Sequence, residues 1–152
     1  MLRSRALSPL LIAVVALIAT FTRPAWAAEP QYKLLKQIQI GGGSGWDYLF
    51  AEPETHRLYV THGTKVMVID TETDKVVGEI LDTPGVHGFV PVPGLKRGFS
   101  SNGQENKSSI VDLDTLKTIE KVATGPNPDA ILYEPKSGEI GTFNGRGQSA
   151  TA

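Results

Sequence analysis

The chain has 152 residues, 15 basic and 16 acidic, a formal net charge of −1 and no cysteine. A balanced charge with no basic stripe argues against a polyanionic partner, so no nucleic acid is indicated. The lack of thiols excludes a disulfide framework, a thiolate metal site and a cysteine nucleophile.

Residues 1–27 read as a Sec-type export signal. Arg3 and Arg5 make a positive start, Leu7 to Phe21 is apolar, and Ala25-Trp26-Ala27 is a cleavage site with Ala25 and Ala27 in the small-residue positions. The apolar run is short for a membrane span, and Arg23 and Pro24 break it. Residues 28–152 are therefore expected in the periplasm or the medium, with no stable membrane anchor. Removing residues 1–27 takes away three arginines and no acid, which moves the net charge from −1 to −4.

Ala28 to Tyr32 is a lead-in, and Lys33 to Ile40 reads as a strand with no partner before it. Gly41 to Gly45 is a loop. No Gly-Lys-Ser/Thr and no helical pattern follow it, so it is not a phosphate cradle. Residues 47–81 then hold four short β-prone runs separated by turns, and residues 88–123 hold four more. Residues 130–152 hold two runs and the place where a third would begin. No segment has a sustained helical period.

These runs repeat. Arg57 to Gly63, Arg97 to Gly103 and Glu139 to Gly145 align at offsets of 40 and 42 residues. Each ends in a pair that suits a tight hairpin: His62-Gly63, Asn102-Gly103 and Asn144-Gly145. Val68-Ile69-Asp70-Thr71-Glu72-Thr73 matches Ile110-Val111-Asp112-Leu113-Asp114-Thr115 at an offset of 42, and Asp70 and Asp112 are placed to close turns onto nearby backbone amides. Four short strands per unit, in units of about 40 residues, describe an all-β fold of antiparallel β-propeller blades. The expected layout is an orphan outer strand at 33–40, blades at 47–81 and 88–123, and an incomplete blade at 130–152. A ring needs at least about four blades, so the chain is expected to be a truncated piece of a longer propeller.

Tyr59-Val60-Thr61-His62 is one step from the Tyr-Val-Thr-Asn strand of the YVTN β-propeller repeats. Together with Val68 to Thr73 and Lys75 to Val77, it makes residues 32–152 resemble the N-terminal part of exported YncE-like proteins. That resemblance implies a seven-bladed parent in the bacterial periplasm, with no shared catalytic motif. His62, in place of Asn, departs from the pattern. Similar propellers occur in lactonases and in subunits of quinoprotein dehydrogenases.

The repeat also selects candidate site residues. Asp47, His87 and Asp129 are spaced by the repeat offsets of 40 and 42. Each precedes the first strand of a unit, so all three are expected at the mouth of the central channel. Two carboxylates and an imidazole there suit a divalent metal or acid–base work. Trp46, Tyr48 and Phe89 are candidates for the wall of a ligand pocket. His56 and His62 read as surface residues in turns. Ser100, Ser101, Ser108 and Ser109 lack the context of a nucleophile.

The leading expectation is a binding or interaction scaffold that works through the channel-mouth face, with an unidentified protein or small-molecule ligand. No cofactor is expected beyond a divalent metal at the trio, and no residue is assigned a catalytic role. The first alternative is a lactonase-like or metal-dependent hydrolase using the trio. The second is a non-catalytic subunit of a periplasmic redox complex.

Overall fold

Runs rich in β-branched and aromatic residues, punctuated by short turns, build eleven strands among the described residues. They are β1 (Trp46–Glu52), β2 (Arg57–His62), β3 (Lys65–Asp70), β4 (Lys75–Ile80), β5 (Val86–Val92), β6 (Arg97–Asn102), β7 (Lys107–Asp112), β8 (Lys117–Ala123), β9 (Pro128–Glu134), β10 (Glu139–Asn144) and β11 (Ser149–Thr151). The structure is a computed structural model that describes residues 32–43 and 45–152. The expected export signal, with Ala25 and Ala27, lies outside the described residues. Among those described, the only helical element is one turn of 3-10 helix at Pro93–Leu95, and no helix is long and apolar enough to cross a membrane.

The strands form three antiparallel sheets in the orders β1-β2-β3-β4, β5-β6-β7-β8 and β9-β10-β11. Strand β1 lies against β5, and β5 lies against β9. The first strand of each sheet thus faces the first strand of the next, and the sheets stack face to face. This is an all-β array of β-propeller blades.

One loop design recurs. Seven of the hairpin loops have four residues, and the last residue is left-handed: His56, Asp74, Lys96, Asn106, Leu116, Gly138 and Gln148, with φ between 47° and 77°. In four of them a carboxylate just before the loop accepts the amides two and three residues on. Glu52 holds Glu54 and Thr55, Asp70 holds Glu72 and Thr73, Asp112 holds Asp114 and Thr115, and Glu134 holds Lys136 and Ser137. The local hydrogen bonds satisfy backbone donors that no ladder serves.

Two expectations are corrected here. Lys33 to Ile40 belongs to no sheet, because a strand exists only within a ladder and none of the described strands forms one with it. Ile38 and Ile40 instead pack on Val60, Met67 and Ile69 of the first blade. Asn102-Gly103 and Asn144-Gly145 do not form two-residue turns either. The loops after Asn102 and Asn144 have four residues, and the left-handed positions fall to Asn106 and Gln148. Only the β2–β3 loop is two residues long, with Gly63 at φ 63°.

The main core lies between the first two blades. Tyr59, Val66, Val68 and Ile80 pack on Val86, Phe89, Val111 and Leu113. Gly98 lets Phe89 in: a Cβ there would stand 2.3 Å from the end of the Phe89 ring.

Candidate functional site

Each blade carries a β-bulge near the start of its first strand, and each expected site residue occupies one. Asp47 and Tyr48 together oppose Thr61, His87 and Gly88 oppose Ser101, and Asp129 and Ala130 oppose Phe143. A bulge adds a residue, breaks the alternation of faces and re-aims the side chain at that point. Here it turns three side chains from three blades toward one place.

The residue opposite the bulge ties one blade to the next. Thr61 Oγ1 accepts the Tyr48 amide at 2.8 Å and donates to the carbonyl of His87 at 2.8 Å. Ser101 Oγ accepts the Gly88 amide at 2.9 Å and donates to the carbonyl of Asp129. Each hydroxyl therefore fixes the backbone of the site residue one blade onward. Gly88 must lack a side chain for this, because a Cβ would meet Ile131 at 2.7 Å and crowd Ser101 Oγ at 3.2 Å.

A second repeated bond holds the approach to each bulge. The Gly63 amide donates to Gly45 at 2.5 Å, Gly103 to Gly85 at 2.9 Å, and Gly145 to Asn127 at 2.8 Å. Each acceptor lies two residues before Asp47, His87 or Asp129. The glycines of the expected turn pairs therefore latch the segments that carry the site. Gly103 also seats His87, since a Cβ there would stand 2.7 Å from Nε2.

The outcome is convergence. One ligand atom from each of Asp47, His87 and Asp129 lies within 4.8 Å of the others. His87 Nδ1 donates to Asp47 Oδ2 at 2.7 Å. Asp47 is exposed, and His87 and Asp129 are half-buried. Asp47 and His87 line a groove of about 470 Å³ together with Trp46, Gln104, Asn127 and Arg146. Asp129 lines a second cavity of about 570 Å³ with Tyr48, Phe143, Asn144 and Gln148.

The expected wall residues divide. Trp46, 71% exposed, flanks the groove, and Tyr48 flanks the second cavity. Phe89 does neither: it is 4% exposed, with its ring 5.0 Å from that of Tyr59 in the core between blades. The bulge at His87 and Gly88 puts Phe89 out of phase with His87 and onto the buried face. His62 is also corrected. It is 7% exposed, and its Nε2 lies 2.9 Å from the Gly41 carbonyl, because it ends a strand rather than standing in the turn. His56 is a surface residue.

Asn102 and Asn144, at the equivalent strand ends, are buried and bonded to side chains. Asn102 Nδ2 donates to Glu105 Oε1 and Ser109 Oγ, each at 2.8 Å, and Asn144 Nδ2 donates to Ser149 Oγ and Thr151 Oγ1, each at 3.1 Å. The four serines are all buried, with Ser100, Ser101 and Ser109 engaged in such bonds.

Gln104 and Arg146 were not singled out from sequence. Each follows a latching glycine, so the repeat that located the trio also marks them. Their backbones are held alike, by bonds of 3.3 Å to the carbonyls of Pro84 and Pro126.

No family model matches the chain, and no curated protein matches it. Among solved structures, one titled Kuenenia stuttgartiensis Hydrazine Synthase is similar, with a TM-score of 0.61 and 20% identity. The match covers 66% of this chain and 29% of that one. At that identity the likeness shows the fold alone.

Proposed function

We propose that this chain is part of an exported, YncE-like propeller of the YVTN class that serves as a binding scaffold in the periplasm, and that its channel mouth holds a divalent cation through Asp47, His87 and Asp129. The observation that carries this reading is the convergence of three potential ligands, from three blades, within 4.8 Å. Three separate bulges and two hydroxyl ties are spent on placing them. Two carboxylates and one imidazole suit Mn2+ or Zn2+. His87 presents Nδ1 to Asp47, so a cation seated between them would take the Nδ1 lone pair, with the ring proton carried on Nε2.

Calorimetric titration of Mn2+ and Zn2+ into the full-length chain tests this. Saturable binding is expected, weakened at least about tenfold in each of D47N, H87A and D129N. Equal affinity in all three variants would overturn the reading.

A second reading, the metal-dependent and lactonase-like hydrolase, uses the same trio. Three protein ligands leave a coordination position for water, as in catalytic zinc sites. Turnover of a simple lactone by the Mn2+-loaded chain, lost in D129N, would favour it over a scaffold. The third reading, a subunit of a periplasmic redox complex, gains no argument from a likeness that carries fold alone.

A further inference from the structure

The groove beside the trio has a chemistry of its own. It is lined by Trp46, Gln104, Asn127 and Arg146 as well as Asp47 and His87. Arg146 is exposed and pairs with no carboxylate among the described residues. Its backbone is nonetheless fixed, by its own bond to Pro126 and by the Gly145 latch beside it. Gln104 is held in the same way one blade earlier, and its side chain lies across Gly85, where a Cβ would meet Gln104 Cγ at 2.5 Å. The groove therefore offers a guanidinium and two amides on anchored segments, with an indole at its side. Guanidinium and amide donors match the geometry of a carboxylate, and the indole suits an apolar body attached to it.

Charge decides the order of binding. Asp47 and Asp129 outweigh Arg146, so without a cation the mouth repels an anion. A divalent cation at the trio reverses the sign. We propose that the groove binds a small organic carboxylate between the trio's cation and Arg146, with Trp46 against the ligand's apolar part, and that cation and carboxylate bind synergistically. This inference rests on the cation reading above. Linkage then requires each ligand to raise the affinity of the other by the same factor.

The test uses Mn2+ and benzoate with the full-length chain. Mn2+ is titrated calorimetrically with and without benzoate, and benzoate with and without Mn2+, each corrected for complexation in free solution. Benzoate is expected to tighten Mn2+ about tenfold, within the usual range of coupling between sites, and Mn2+ to tighten benzoate equally. In R146Q the ratio of Mn2+ affinities with and without benzoate falls severalfold toward one, and W46A weakens benzoate. Fluorescence follows Trp46, with W46A supplying the background from Trp26. Mn2+ binding without coupling to benzoate overturns this inference and leaves the cation reading standing. Coupling that is undiminished in R146Q also overturns it, because benzoate would then be a ligand of the cation alone. Failure of Mn2+ to bind under either condition overturns both.

Discussion

The two junctions between blades share one tie and differ in what fills them. At the first, Thr61 bonds the carbonyl of His87, and at the second, Ser101 bonds the carbonyl of Asp129. The first junction has an apolar core, with Tyr59, Val66, Val68 and Ile80 against the second blade, and a cavity of about 250 Å³ lined by Glu52, Arg57, Tyr59, Pro93 and Leu113 beside it. At the second, the equivalent positions hold Phe99, Ser108, Ile110 and Val122, which line a cavity of about 120 Å³ with Ile140 and Thr142. Ser108 Oγ and Thr142 Oγ1 are buried there with no hydrogen-bond partner. The hydroxyl tie sets where one blade sits on the next, and apolar filling sets how strongly it is held. The two junctions therefore differ in packing while Asp47, His87 and Asp129 still converge.

The largest expected effect comes from the apolar core of the first junction. F89A should cost about 3–5 kcal/mol in urea unfolding, as deletion of a buried aromatic does. F99A, at a half-buried ring that lines the cavity, should cost less than half as much. Equal losses would break the contrast.

The ties should be worth the same at both junctions. T61V strands the Tyr48 amide and the His87 carbonyl, and S101A strands the Gly88 amide and the Asp129 carbonyl. Each should cost about 1–3 kcal/mol. Each should also weaken Mn2+, which a purely structural bond remote from the site would not do. A gain is expected at the second junction: T142V replaces an unpaired hydroxyl with a methyl group of similar size and should raise stability by about 1 kcal/mol. A loss would mean that the hydroxyl has a partner, such as a bound water.

The smallest effects belong to the solvent-facing turns. The amides and hydroxyls of Thr73 and Thr115 hold the carboxyls of Asp70 and Asp112 below their ordinary value of 3.8. A folded value below the unfolded one adds stability above the unfolded pKa and loses it as pH falls through the folded one. The melting temperatures of D70A and D112A should therefore lie slightly below wild type at neutral pH and converge with it as the pH drops below 3.8. Asp112 also pairs with Arg97 at 2.9 Å, so D112A should show the wider gap.

Much of this was readable in the chain. Val68 to Thr73 and Ile110 to Thr115 carry strand, carboxylate and turn in fixed order, and a turn of this kind is decided by residues two and three apart. The fit of Asp47, His87 and Asp129 to one position was also readable, because equal offsets in a repeat imply equal places. His62 differs from the sequence reading because it ends a strand instead of standing in the turn, and Phe89 because of the bulge before it. A bulge leaves no mark in composition, and it shifts every later side chain to the other face.

The sequence alone determined the strands of the blades, the blade length, the turns at Asp70 and Asp112 and the equivalence of Asp47, His87 and Asp129, since all of these follow from local preference and spacing. The tertiary structure alone decided that Thr61 and Ser101 are ties rather than ordinary strand residues. It also decided that the glycines after His62, Asn102 and Asn144 are latches, and that Gln104 and Arg146 share a groove with Trp46. Those roles depend on partners as far as 28 residues away or in another blade. The latches form once the first two strands of each blade pair, and the ties and the groove only once the sheets have stacked.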